Sequence, residues 1–472
     1  EFALNGGACN TDFIDNAAGV DCSDHEVNIK ILLDDLMAAS ELNQQDRNTL
    51  LADMTETVSK MVLKNNYRQT LSLTVAQAQA SQRMSEYRRF ISYLESEGKL
   101  DRELENLPDD ETLVERYAQG GSLTRPELSV LICYAKVMLK EALADSDIAE
   151  DEYVAKAAEI AFPNQLVEHY KSNIYKHRLL KEIVATQVAN DLINNLGITA
   201  VSRLVDSTGA SVEDVARAYI VSRDVFKFEE FLGLIESLDY KISADAQTKL
   251  MSNMIRRVRR GTRWFIRNLR DGLDLSRDIN AFRDGFAQVI QTMESALTGD
   301  ARAYWEEQCD YYRELGIPES WIAILALPKN LYSGLGIIYA TQSLPCDIER
   351  TTQVFYELYE RLGLGWLATQ LSDARVDNVW QALARETFLD DLEAQLRKLV
   401  VAIIRLHEDD ANTSLEELLE RWLGGRSPLA VRWFSTLSEM QGGSGSDFAM
   451  LSVALKELAD LSEAIDRCTL KN

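Results

Sequence analysis

Apolar residues recur three and four positions apart through nearly the whole chain, the spacing that lines one face of an α-helix. Glu1–Asp24 is the exception. There Gly6-Gly7, Gly19 and several Asn and Asp residues separate β-compatible ones, and the stretch reads as loop and short strand. Ser23 is then expected to cap a helix, with Glu26 completing a capping box. Further helices are expected over about 43–65 and 67–97. Thr124 and Glu127 frame another start, with Pro126 tolerated in its first turn. A long helix should run from Pro163 to Asn195, closed by Gly197. Later ones are expected over about 212–223, 226–237, 244–269, 273–297, 301–315, 376–407, 415–423 and 448–467. No repeat of fixed period recurs, which argues against a regular solenoid.

Composition changes this picture little. The 472 residues include only 7 Pro and 23 Gly, and 46% are hydrophobic, enough for a sizeable core. The formal charge of −25, from 75 acidic and 50 basic residues, repels phosphate backbones and anionic lipid, so neither nucleic acid nor membrane is an expected partner. The longest apolar stretches, Ser129–Leu139 and Trp321–Leu327, are too short to span a bilayer. No basic segment followed by an apolar one opens the chain, so no signal peptide is expected. Six scattered cysteines without a C-x-x-C pair fit a reduced, cytoplasmic protein. Glu1 is not a start methionine, and the chain opens inside what reads as a domain, so a fragment is expected.

One helix carries an unusual charge pattern. Arg256, Arg260, Arg263, Arg267 and Arg270 are spaced four, three, four and three, which aligns them on one face. Met251, Met254, Ile255, Val258, Phe265 and Leu269 fall opposite. A basic stripe in an acidic chain seeks carboxylates, within the chain or on another subunit, or an anionic ligand. Asp12, Asp15, Asp21, Asp24, His25 and Glu26 form a dense acid and imidazole cluster. With a single histidine and diverging acids, helix capping and dipole pairing account for it better than a metal, and no metal is expected. His169, His177 and His407 lack ligand partners at helical spacing and read as surface or packing residues.

The segment Asn10-Thr11-Asp12-Phe13-Ile14-Asp15-Asn16-Ala17-Ala18-Gly19-Val20-Asp21-Cys22-Ser23-Asp24-His25-Glu26-Val27-Asn28-Ile29-Lys30 resembles, nearly residue for residue, a stretch of the large bacterial NAD-specific glutamate dehydrogenases. Thr124-Arg125-Pro126-Glu127-Leu128-Ser129-Val130-Leu131, Glu182–Leu192 and Thr262-Arg263-Trp264-Phe265 look like the same family, in the same order. The resemblance implies a very long homo-oligomeric polypeptide that converts L-glutamate and NAD to 2-oxoglutarate, ammonium and NADH. In it this chain is the C-terminal part. The implied fold is mainly α, a multi-helical C-terminal domain (98–472) preceded by a short remnant of the α/β nucleotide-binding catalytic module (1–97).

The G-x-G-x-x-G fingerprint after a strand is missing, and Gly363-Leu364-Gly365-Trp366 imitates only its start. The family's glycine-rich stretch with its catalytic lysine has no counterpart either. The chain alone is therefore expected to be inactive, with no catalytic residue of its own and no NAD bound by itself. In smaller glutamate dehydrogenases a Gly-Gly turn is followed closely by a serine that contacts the substrate side-chain carboxylate. Counting from Gly6-Gly7, that position falls on Thr11, a hydroxyl donor. Asn10 and Asn5 are then candidates for contact with nicotinamide or substrate, although Asn5 stands one position off the family's asparagine. The plainer alternative is an Asx or Thr turn satisfying local backbone. The other functional class left open is a non-enzymatic, all-helical interaction scaffold.

Overall fold

The computed structural model describes residues 1–269, 272–327, 334–376, 378–409, 414–423, 428–443 and 447–469. Among them there is no strand. The helices are α1 (Asp12–Asp15), α2 (Ala17–Ala38), α3 (Gln44–Gln79), α4 (Met84–Ser96), α5 (Asp110–Ala118), α6 (Arg125–Ala144), α7 (Glu152–Ala155), α8 (Asn164–Ile174), α9 (Leu180–Leu196), α10 (Ala200–Thr208), α11 (Val212–Val225), α12 (Phe228–Ser237) and α13 (Ala244–Asn268). They continue with α14 (Leu275–Ala296), α15 (Gly299–Glu314), α16 (Glu319–Leu325), α17 (Gly334–Thr341), α18 (Ile348–Arg361), α19 (Leu364–Asp373), α20 (Val379–Asp409), α21 (Leu415–Leu423), α22 (Pro428–Gly442) and α23 (Phe448–Thr469). No helix of the described residues is long and apolar enough to cross a membrane.

The chain forms two compact units, Glu1–Arg223 with Phe228–Ser276, and Asp224–Lys227 with Arg277–Asn472. In the first, α6 and α9 lie side by side and α3 packs on α2, α6 and α9. Leu128, Leu131, Ile132, Ala135 and Leu139 of α6 are buried, as are Val184, Ala185, Val188, Ala189 and Leu192 of α9. The alanines let the two backbones approach closely, while each buried leucine contributes roughly 1.5–3 kcal/mol of transfer free energy. The start of α6 follows the expected pattern. The Thr124 side chain accepts from Glu127 N–H, and the Glu127 carboxylate accepts from Thr124 N–H at 2.7 Å. Arg116 adds two bonds to the same carboxylate, at 2.8 and 3.0 Å.

Three expectations need correction. Residues 1–24 hold no strand, and α2 already starts at Ala17. Ser23 is interior to it and donates to Gly19 O at 3.1 Å instead of capping. Ala17 and Ala18 are strong helix formers, and one glycine costs only about 1 kcal/mol. Next, α3 runs through Asn65-Asn66 and stops at Gln79. Its Asn65 amide is held by Asp21 at 2.9 Å, a tertiary bond that offsets weak local propensity. Finally, the 163–195 helix is broken between α8 and α9. There His177 turns inward, its Nδ1 accepting from Leu179 N–H at 3.1 Å. That bond fixes the tautomer, so Nε2–H donates to Asn28 O at 3.2 Å. Burial pushes the His177 pKa down.

In the second unit α20 packs along α23 and against α17, α18 and α19. Leu389, Leu392, Leu396, Leu399 and Ile403 of α20 are buried at alternating steps of three and four, and so are Leu451, Ala454, Leu458, Leu461 and Ile465 of α23. This is the spacing of a coiled-coil seam. Gly363, at φ +64, ends α18, and a Cβ there would lie 2.6 Å from Leu437. In the look-alike Gly363-Leu364-Gly365, Gly363 is thus the turn between two helices, Leu364 and Gly365 open α19, and no strand precedes them.

Candidate functional site

The opening loop folds back on itself before any helix begins. Gly6 has φ +86, a conformation that favours glycine, and a Cβ on Gly7 would lie 2.4 Å from the exposed Phe2 ring. Asn5 is exposed, and its amide donates to Glu1 O at 2.8 Å. Among the described residues Asn5 shares no hydrogen bond with Asn10 or Thr11.

Asn10 is held at both ends. Its Nδ2 donates to Asp15 Oδ1 at 2.7 Å, and its Oδ1 accepts from Arg125 Nε. Thr11 follows in the N-cap position of α1, with extended backbone at φ −84 and ψ 159, yet its side chain makes no capping bond. The Thr11 hydroxyl oxygen is buried and has no hydrogen-bond partner among the described residues. A buried unsatisfied hydroxyl costs roughly 1–3 kcal/mol. The local-turn alternative predicts a satisfied side chain, and Thr11 does not show one.

Arg125 opens α6 beside this loop. Its Nη1 donates to Thr74 Oγ1 and its Nη2 to Thr70 O, each at 2.9 Å. Half-buried, the guanidinium has its pKa lowered by burial, an effect opposed by the charge of Asp15. Two turns further along α6, Cys133 precedes Lys136, whose ammonium donates to Gln69 Oε1. Burial brings the Lys136 pKa down to about 8. Sequence reasoning missed Arg125, Thr70, Thr74, Gln69 and Lys136. One signal was available: arginine at the first position of a helix stands where the dipole disfavours a cation.

The acidic cluster stays only partly together, with Asp21 Oδ1 at 3.8 Å from His25 Nε2. Asp15 serves Asn10 and Asp21 serves Asn65. His25 is 4% exposed, with Nδ1 at 2.9 Å from Ala161 O. Burial, then Asp21, raises the Asp24 pKa, and Glu26 pairs with Lys30 one turn on.

On α13 the apolar residues Met251, Met254, Ile255, Val258 and Phe265 are buried. The arginine face is not a fully solvated one. Arg256, Arg260 and Arg267 are half-buried, Arg263 is 4% exposed, and Arg270 lies outside the described residues. Arg263 Nη1 donates to Ser207 Oγ at 2.6 Å, in the last turn of α10, where the helix dipole favours a cation.

A family model described as the catalytic domain of bacterial NAD-glutamate dehydrogenase matches residues 1–76, and one described as the C-terminal part of glutamate dehydrogenase matches residues 120–460. A protein of Pseudomonas aeruginosa named NAD-specific glutamate dehydrogenase is 44% identical over 98% of this chain and 28% of its own length. Proteins of the same name from Halomonas elongata and Mycobacterium tuberculosis are 42% and 30% identical, over 98% and 99% of this chain and 29% and 28% of theirs. The chain thus spans less than a third of these relatives. Asn10 and Thr11 fall in the first matched region and Arg125 in the second. With most of its length matched by the C-terminal model, the chain belongs to the glutamate dehydrogenase C-terminal family.

Proposed function

We propose that the polypeptide to which this chain belongs oxidises L-glutamate with NAD, giving 2-oxoglutarate, ammonium and NADH, as a cytoplasmic homo-oligomer. The observation that carries this reading is the match of residues 1–76 to the catalytic domain of bacterial NAD-glutamate dehydrogenase, the segment in which the buried, unpartnered Thr11 hydroxyl lies. A substrate carboxylate is the partner it lacks. Asn10 stands beside it with its amide oriented from two sides. We place the end of the catalytic module near residue 97, between the two matched regions, and assign 98–472 to packing and assembly.

The described residues do not fit a dinucleotide. They offer no strand-turn-helix cradle, and their G-x-G sequence is filled by Leu437. The cofactor and the proton-transferring groups are therefore assigned to the remainder of the polypeptide, and this chain alone to no turnover.

NADH formation from glutamate by the full-length protein, beside the same protein truncated to end before Gly6, tests the reading. Activity is expected in the first and not in the second. Thr11→Val in the full-length protein should raise KM for glutamate about tenfold, the effect of removing one hydrogen bond to a charged group. An unchanged KM removes Thr11 from the site. The stripe on α13 we assign to helix packing and subunit contact. Arg260→Glu with Arg263→Glu should lower both the melting temperature and the mass measured by light scattering. If neither changes, that assignment fails.

A further inference from the structure

We propose that Arg125 is a positioning residue for the substrate-facing loop, fixing Asn10 and through it Thr11 from the first turn of α6. The inference rests on the functional reading above and extends it to a side chain outside the region that matches the catalytic domain.

Nothing local explains an arginine at this point. The start of α6 is already capped by Thr124 and Glu127, and the helix dipole there repels a cation. Nor does Arg125 form an ion pair with any described carboxylate, in a chain with 75 acidic residues. Its guanidinium is instead directed at three neutral acceptors, Asn10 Oδ1, Thr70 O and Thr74 Oγ1. A planar fork with bonds in three directions has one orientation, which a flexible ammonium does not reproduce. Two of the acceptors belong to α3, which packs against both α1 and α6. The third is the side chain adjoining Thr11. Asp15 holds the opposite end of the Asn10 amide, so the amide cannot turn without losing a bond to one partner. The loop on which Thr11 sits is thereby referenced to α6, whose own start is anchored by its capping box and by Arg116.

The test uses the full-length protein with glutamate and NAD. Arg125→Lys keeps the charge and loses the fork. It should lower kcat/KM for glutamate about 10- to 100-fold at an unchanged melting temperature, the scale of loss from a displaced binding group. Asn10→Ala should lose a similar factor, and the double variant should be no worse than the poorer single variant by more than about twofold, because both changes break one contact. Should Arg125→Lys fail to fold, Thr74→Val removes a single acceptor and should still lower kcat/KM several-fold. Wild-type kcat/KM in Arg125→Lys, losses that multiply in the double variant, or a loss that follows a fallen melting temperature would each overturn the proposal. An unmodified protein inactive on glutamate would remove the functional reading and this one with it. An active parent with an indifferent Arg125→Lys variant would remove this one alone.

Discussion

The first turn of α6 and the seam between α20 and α23 are both held against neighbouring elements, by contrasting means. At Arg125 the contact is polar, directional and made of three bonds to neutral acceptors. Along α20 and α23 it is a row of leucines, an alanine and isoleucines at steps of three and four. Apolar burial is proportional to area and indifferent to angle. It sets how firmly two helices adhere, and any side chain of similar volume serves. A guanidinium bond network adds less to stability but specifies where one side chain stands. The seam therefore fixes how firmly two helices adhere, whereas the α6 contact fixes where the Asn10 side chain stands.

Substitutions separate the two. The largest effect is expected at Leu399, which is fully buried in the seam. Leu399→Ala should destabilise by about 2–5 kcal/mol, whereas Leu399→Met should stay below about 1.5 kcal/mol. Hydrogen exchange of α20 and α23 amides reads both. Equal losses would mean that shape matters in the seam as it does at Arg125, and the contrast would fail. Thr124→Ala should follow, at about 1 kcal/mol, since it removes the hydroxyl that accepts from Glu127 N–H. Faster exchange confined to the first turn of α6 is the expected signature.

The smallest effect is one of pH. His177 holds its folded pKa below the ordinary 6.5, so the unfolded chain takes up the proton first as pH falls. The stability it contributes is complete above about 6.5 and is lost as pH drops through the lower folded value. Melting temperatures between pH 7 and pH 5 should show this decline, with a shallower slope in His177→Gln. Identical slopes would exclude His177 as its source.

Much of the helical fold was legible because its signals are local. Thr124 with Glu127 announces α6, and Gly197 ends α9 with φ +99. The failures lie where distant residues decide. At the break His177 bonds Asn28 O, 149 positions away, and where α3 crosses Asn65 that side chain bonds Asp21, 44 positions away. The short helix α17 escaped notice for another reason. Leu335, Ile337 and Ile338 are all buried, so no polar face marks a period, and its glycines admit Phe286 and Glu393 to the backbone. The sequence singled out Asn10 and Thr11 by resemblance, but not Arg125. Its acceptors stand 51, 55 and 115 positions away, and no spacing rule joins them.

Arg125 also bears on modularity. The two sequence families meet somewhere between residues 76 and 120, yet both flanks lie in one compact unit. A cut there would leave Asn10 without its donor on one side and, on the other, a helix bearing its cation at the wrong end of the dipole. The border that sequence comparison draws thus falls inside a single compact unit, and the Arg125–Asn10 bond ties the residues on its two sides together.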